Sequence, residues 1–322
     1  VNSEIRHPSI LVTGADGFIG AHLVRALRSR FPDFVVFSSC RKGPRGLVDA
    51  HHLQADMADA ASIDRLVDQS RPDVVIHLAA QASVGKSLEI GSDVWEVNVG
   101  GTRRLASAVR AVKPDACFIF ASSAEVYGDS FQSQLPMDED SCPRPMTPYA
   151  RSKLAAEFVL RDTLGVDAQL IILRFFNHVG PGQGEQFVAA SFAAQLARIE
   201  RQGGVGRIEV GDLTAKRDFG DVRDAVAAIL AVIEARGSLP AVNTFNVCSG
   251  EVRTVRDLLD KLIAGSTARP EVVVSHDRLR SVETPCAAGS IKSLSNATGW
   301  SPGGLTDETI KGILDYWRQQ TS

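Results

Sequence analysis

The sequence predicts an α/β fold, a doubly wound parallel sheet with a smaller C-terminal lobe. Three observations predict it. Short apolar, β-branched runs (SILVT, FVVFS, HLQAD, DVVIHLAA, ACFIFASS, AQLIILRF) alternate with helical patterns as far as about residue 175. The runs are continuously apolar, as strands buried on both faces must be. A chain of 322 residues is also long enough for a large core plus a second lobe.

Taken in order, SILVT supplies the first strand and helical spacing over 18–30 follows it. Further helical stretches lie at 62–69, 94–112 and 148–164, with RPD and KPD marking the returns to strand. After RFFN the character changes to Gly-rich NHVGPGQGEQ and shorter elements. The expected division is a dinucleotide-binding domain of Rossmann type over 1–175, with pieces from about 207–247 returning to it. Residues 176–206 and 248–322 then form mainly a substrate-binding lobe. No repeat or low-complexity tract interrupts the pattern.

Composition excludes several classes. With 44% hydrophobic and 23% charged residues the chain is an ordinary globular one. A net charge of -3 gives no general attraction to nucleic acid or an anionic membrane, so an anionic ligand has to be met by local positive groups. The five cysteines form no C-x-x-C pair, and the seven histidines show no ligand spacing. His51 and His52, adjacent on an expected strand, point to opposite faces. No metal is therefore expected. VNSEIRHPSI lacks a basic region followed by a long apolar run, and no apolar stretch reaches the roughly 18 residues of a membrane span. The expectation is a soluble, cytoplasmic protein.

Directly after the first strand comes TGADGFIG, in which Gly14, Gly17 and Gly20 form G-x-x-G-x-x-G and open a helix. Such glycines allow a tight turn and let backbone N–H groups approach a pyrophosphate at the positive end of the helix. The loop Gly14, Asp16, Gly17, Phe18, Ile19 and Gly20 is read as cofactor-binding. An NAD site usually ends its second strand with an acid that holds the ribose 2′-hydroxyl. Here that strand runs FVVFSSCRKG, and Ser39 and Arg41 supply donors and positive charge that suit a 2′-phosphate. NADP(H) is favoured, with NAD(H) as the alternative.

In MTPYARSKLAAE, Thr147 is an N-cap and Pro148 the first helical residue, which puts Tyr149 and Lys153 four apart on one face. An ammonium beside a phenol favours the phenolate, making Tyr149 usable as an acid or base. The run FIFASS leads into SSAEVYG and sets the Ser123 hydroxyl at a strand's carboxyl end, where doubly wound sheets bind ligands.

Together TGADGFIG, HLAAQ, NVGGT, SSAEVYG and YARSK resemble the extended short-chain dehydrogenase/reductase family over nearly the whole chain. The resemblance implies that Asp56, with Met57, contacts adenine and that Leu78, Ala79 and Ala80 line the cofactor cleft. It further implies that Asn98 supports the active site. It implies a homodimer through the helices of 94–112 and 148–164.

RFFNHVGPGQ, GDLTAKRDFGDVRD and LRSVETP are similar to segments of that family's nucleotide-sugar branch. Arg217 and Arg280 can clamp a diphosphate by forked hydrogen bonds, or each can pair with a nearby acid, Asp218 or Glu283. Asn177, Val188 and Glu283 complete the expected substrate contacts. Within the branch the resemblance implies reduction of a 4-keto group, converting GDP-4-keto-6-deoxy-D-mannose to GDP-D-rhamnose. GDP-mannose 4,6-dehydration and 4-epimerisation are the alternatives. Glu125, two residues after Ser123, stands where a dehydratase carries its extra acid/base carboxylate, and some reductases carry an acid there too.

Overall fold

The computed structural model describes residues 7–43, 51–81, 91–133, 135–278 and 284–320, with backbone alone at 91 and 92. Two compact units form. One comprises Val1–Val126, Pro145–Arg174 and Ile229–Phe245; the other comprises Tyr127–Arg144, Phe175–Ala228 and Asn246–Ser322.

The first unit is α/β. Its strands β1 (Ser9–Thr13), β2 (Val35–Cys40), β3 (His52–Gln54), β4 (Val74–His77), β5 (Cys117–Ser123) and β6 (Gln169–Phe175) join a seventh, Val242–Val247, in one parallel sheet. From one edge the order is Val242–Val247, β6, β5, β4, β1, β2, β3. Strand β1 thus has β2 on one side and β4 on the other, the reversal at which such sheets open a crevice. All residues of β1 and β4 are buried, which accounts for their unbroken apolar runs.

Alternate side chains Leu11, Val75, Phe118, Phe120, Leu170 and Ile172 pack with apolar residues of three helices. These are α2 (Ala60–Ser70), α4 (Thr102–Val112) and α5 (Pro148–Thr163), contributing Ile63 and Leu66, Leu105 and Val109, and Ala156 and Leu160 respectively. Each large side chain buried this way stabilises the unit by about 1.5–3 kcal/mol. Helix α1 (Phe18–Arg30) falls where the periodicity put it. His51 packs its ring, tilted, against Phe37 while His52 bonds Ser38 and Cys40, so the two rings do take opposite faces.

The single helix expected over 94–112 is instead three pieces. A short α3 (Gly91–Trp95) is followed by a π-helical turn, Glu96–Gly101, before α4. NVGGT explains the turn. A Cβ on Gly101 would lie 2.8 Å from Met57 Cβ, so only glycine admits this approach. The wider turn also sets Asn98 inward, and π-bulges of this kind concentrate at functional sites.

The second unit holds β7 (Asn177–Val179), β8 (Val205–Val210) and β9 (Lys216–Asp221), then β11 (Val252–Thr254), β12 (Arg269–Val274) and β13 (Cys286–Ala287), Val242–Val247 being β10. Strand β9 is flanked by β11 and β13 and also pairs with β7, whereas β8 pairs with β12 alone. Helices α6 (Val188–Arg201), α8 (Val255–Ala264) and α10 (Asp307–Gln320) cover its core of Phe192, Leu196, Phe219, Leu258, Leu262 and Ile313. α7 (Val222–Ala235) and the short α9 (Lys292–Thr298) complete the helices named here.

This corrects the expected division at two places. Of the stretch 207–247, Ile229–Phe245 belongs with the sheet, while β8 and β9 belong to the second unit, as does Tyr127–Arg144. The reason is visible in β8, whose residues alternate between exposed and buried near its end, the pattern of a strand covered on one face. Among the described residues no helix is long and apolar enough to cross a membrane.

The tyrosine of SSAEVYG serves the second unit. Tyr127 is fully buried and donates its hydroxyl to Asn246 Oδ1 at 2.8 Å, while Asn246 Nδ2 donates to Met137 O at 2.9 Å. Tyr127→Phe leaves that buried amide oxygen without its donor and should cost about 1–3 kcal/mol in urea unfolding. An unchanged midpoint would show that the bond contributes nothing.

Candidate active site

The glycine loop is held by backbone bonds. Ala15 N donates to Ser39 O at 3.0 Å and Gly17 N to Gly14 O at 3.0 Å, which closes a tight turn between β1 and α1. Gly14 has φ +70, and a Cβ there would meet Ala79 N at 2.7 Å, so β1 and β4 leave the sheet with their backbones nearly touching. On Gly20 a Cβ would lie 2.3 Å from Gly14 O. Gly17 caps α1 without a side-chain bond, which leaves the N–H groups of Phe18, Ile19 and Gly20 without intrahelical partners. Donors at a helix N-terminus, bare of Cβ atoms, make a cradle that fits a dinucleotide pyrophosphate.

Of the other expected cofactor residues, Ala79 lies against Gly14 and Ser39 O accepts from Ala15 N. Leu78, Ala79 and Ala80 follow β4 half-buried, and Asp56 begins a turn in which its carboxylate accepts from Ala58 N at 3.0 Å. Met57 is buried. Ser39 is buried with an unpartnered Oγ, and Arg41 is exposed at the end of β2. Asp16 is exposed in the loop.

At the carboxyl end of β5 the structure brings Ser123, Glu125, Tyr149 and Lys153 together. Thr147 Oγ1 caps α5 by accepting from Ala150 N at 3.1 Å, with Pro148 opening the helix as its sequence indicates. Burial pushes the Tyr149 phenol up to about 12, opposed by a hydrogen bond with Ser123 and reinforced by the Glu125 carboxylate. Glu125 is itself half-buried, its backbone N–H donating to Ser123 Oγ at 3.2 Å.

Lys153 is buried with Nζ 4.6 Å from the centre of the Phe120 ring. Burial pushes its ammonium down to about 7, against the pull of Glu157. Behind it, His77 bridges Thr13 Oγ1 at 2.7 Å and Thr102 Oγ1 at 3.0 Å. Burial, with the Lys153 charge beside it, pushes that imidazole down to about 3, so it stays neutral.

Asn98 ties these pieces together. Its Oδ1 accepts from Gln81 N at 2.8 Å, and its Nδ2 donates to Ser152 Oγ at 3.0 Å, which in turn donates to Tyr149 O at 2.7 Å. One amide thus joins the exit of β4 to the start of α5. A cluster of hydroxyl, phenol and ammonium on this frame can pass a proton to or from a carbonyl oxygen.

The second unit contains a cavity of about 300 Å³ lined by Asn177, Val188 and Arg217, three of the expected substrate residues. Arg217 does not pair with Asp218. It donates to Thr284 O at 2.6 Å, while Asp218, fully buried, accepts from Ser249 N at 2.7 Å and Gly250 N at 2.9 Å. Arg280 and Glu283 lie outside the described residues. Arg278, which the sequence reading passed over, lines the same cavity and donates to Ser191 Oγ at 3.0 Å. Its one available signal was HDRLR, in which Arg278 stands two residues before Arg280. Glu157 was passed over too, although it continues the four-residue spacing of Tyr149 and Lys153.

The sequence model described as the NAD dependent epimerase/dehydratase family matches residues 10–248. GDP-6-deoxy-D-mannose reductase of Pseudomonas aeruginosa is 34% identical over 97% of both chains. dTDP-L-rhamnose 4-epimerase of Burkholderia thailandensis is 31% identical over 97% of this chain and 95% of its own. Among solved structures, RMD from Pseudomonas aeruginosa complexed with NADPH superposes with a TM-score of 0.83 at 32% identity, covering 97% of this chain and 99% of that one.

Gly20→Ala tests the cradle. The methyl group cannot fit against Gly14 O, so the loop must open, and NADPH affinity followed by nucleotide fluorescence should fall at least about tenfold, the equivalent of some 1.4 kcal/mol. Unaltered affinity would mean that the dinucleotide does not use this loop.

Proposed function

The chain belongs to the NAD dependent epimerase/dehydratase family, and from that premise we propose that it reduces the 4-keto group of a nucleotide-linked 4-keto-6-deoxyhexose. The reaction read is GDP-4-keto-6-deoxy-D-mannose to GDP-D-rhamnose. The observation that carries this reading over its rivals is the likeness to GDP-6-deoxy-D-mannose reductase, 34% identical against 31% for the dTDP-L-rhamnose 4-epimerase. The buried Ser123, Tyr149 and Lys153 cluster supports the chemistry.

NADPH, when bound, supplies the hydride for carbon 4. Tyr149 donates its proton to the alkoxide oxygen that develops there. A phenol held near 12 is protonated at neutral pH, as a general acid must be. Ser123 steadies the same oxygen by a hydrogen bond. Lys153 stabilises the phenolate left on Tyr149 and holds the nicotinamide ribose. Gly14, Gly17 and Gly20 with the first turn of α1 hold the pyrophosphate, and Asp56, Met57, Leu78, Ala79 and Ala80 border the adenosine and nicotinamide. Ser39 and Arg41 support a preference for the 2′-phosphate of NADP(H).

Arg217, Asn177 and Val188 receive the nucleotide diphosphate, with Arg278 a further cation in their cavity. Arg280 and Glu283 complete that set in the proposal. Specific observations also favour a second reading, GDP-mannose 4,6-dehydration: the Glu125 carboxylate acts electrostatically on Tyr149 and could remove the proton at carbon 5. Five free thiols suit a reducing cytoplasm. A homodimer through α3, α4 and α5 is supported by Trp95 and Phe158, exposed at 42% and 59% on these helices. Light scattering should then give twice the chain mass, and Phe158→Glu should lower it to one; a monomeric wild type would remove this part.

The function is tested with two substrates. The 4-keto-6-deoxy sugar nucleotide should oxidise NADPH stoichiometrically and faster than NADH, whereas GDP-mannose should consume neither. Ketone produced from GDP-mannose without net oxidation would turn the assignment to the dehydratase. Tyr149→Phe should lower turnover by at least roughly 10²–10⁴-fold with binding kept.

A further inference from the structure

Helix α5 carries a third ionisable group on the face of Tyr149 and Lys153. Glu157, one turn beyond Lys153, is buried at 2% exposure. Its Oε1 accepts from Ser122 Oγ at 2.5 Å and from Arg174 Nε at 3.1 Å, and its Oε2 from Arg174 Nη2 at 2.8 Å. Ser122 immediately precedes Ser123 on β5, and Arg174 stands near the end of β6. Two charges taken out of water in this way are no aid to stability over an apolar pair of equal size. Their arrangement calls for another explanation.

Lys153 provides one. Among the described residues the groups around it are readily enumerated. Its own helix offers Tyr149 and Glu157, β4 the neutral His77, β5 the Phe120 ring with Ser122 and Ser123, and β6 the cation Arg174. On the packed α3, π turn and α4, Asp93 and Arg103 are exposed, Arg104 pairs with Glu96 and Arg110 donates to Thr163 O. Glu125, past β5, acts on Tyr149. Glu157 is therefore the buried anion that opposes the cost of placing an ammonium against the sheet.

We propose that Glu157, locked by Arg174 and Ser122, is a positioning residue that holds a larger share of Lys153 in its charged form around neutral pH without touching substrate or cofactor. The inference rests on reading Lys153 as the partner of Tyr149 and of the nicotinamide ribose. Its sign follows from the chemistry. Lys153 works as the protonated form, whose ionisation already lies at about 7 with Glu157 in place. Removing the negative charge moves that ionisation to lower pH, so activity and cofactor affinity are lost first on the alkaline side.

The test is Glu157→Gln, which keeps the size and one acceptor oxygen. The alkaline limb of the kcat/KM profile should move down by about one pH unit, within the range a neighbouring charge produces. At pH 8 that is about a tenfold loss against wild type, fading toward pH 6. NADPH affinity, read by fluorescence without any sugar substrate, should weaken in the same pH pattern. Glu157→Asp, which retains the charge, should keep the wild-type limb even if turnover drops, and Ser122→Ala should keep it as well.

A uniform loss at every pH, or an alkaline shift shared by Glu157→Asp, would overturn the proposal in favour of a purely structural pair. Should Glu157→Gln not fold, as judged by its melting transition, Glu157→Asn against Glu157→Asp decides: at equal side-chain length the neutral variant should move the alkaline limb down and the charged one should not, and equal limbs would overturn the proposal. If wild type turns over no 4-keto sugar, the functional reading fails on its own. The pH dependence of NADPH affinity still decides the role of Glu157.

Discussion

Strands buried on both faces leave no water for the polar groups that chemistry needs, so each ionisable side chain set against this sheet has to bring its own partner. That constraint organises the first unit. His77 stays neutral between two threonine hydroxyls. Lys153 lies over the Phe120 ring with a carboxylate one turn away, and that carboxylate is bound by Arg174 and Ser122. Asn98 spends its amide on Gln81 and Ser152. The polar atoms that support the proton chemistry are the same ones that satisfy one another.

Backbone approach is the second requirement. The loop after β1 comes so near the exit of β4 that Gly14 and Gly20 have no room for a Cβ. Gly101 is equally confined against Met57, and the π turn follows from it. Gly14 and Gly20 thereby bring the loop after β1 close to the exit of β4, at the strand reversal where sheets of this kind open a crevice.

In the second unit, AKRD divides its labour by strand alternation. Along β9 successive side chains take opposite faces, so Arg217 reaches the cavity while Asp218 turns inward and fastens the Ser249–Gly250 turn. Of the two acids the sequence offered Arg217, Asp218 is thus engaged elsewhere, and Glu283 lies outside the described residues. The cavity that Arg217 and Arg278 line thus gathers two cations in a chain whose net charge is -3.

What the sequence by itself determined is local. The glycine loop, the Thr147 cap, the four-residue step from Tyr149 to Lys153 and the unbroken apolar strands are each written within a few adjacent residues, because turn sterics and helical period act over that range. The helices at 18–30 and 148–163 and the six strands of the first half were legible for this reason. Tertiary structure alone decided the rest. Glu157 finds Arg174 and Ser122 across 17 and 35 residues of chain, and Asn98 finds Ser152 across 54. Strand β8 joined β12 rather than the main sheet, and Arg278 met Arg217 in one cavity. Such pairings depend on which elements become neighbours when the apolar faces close, and no local period encodes them.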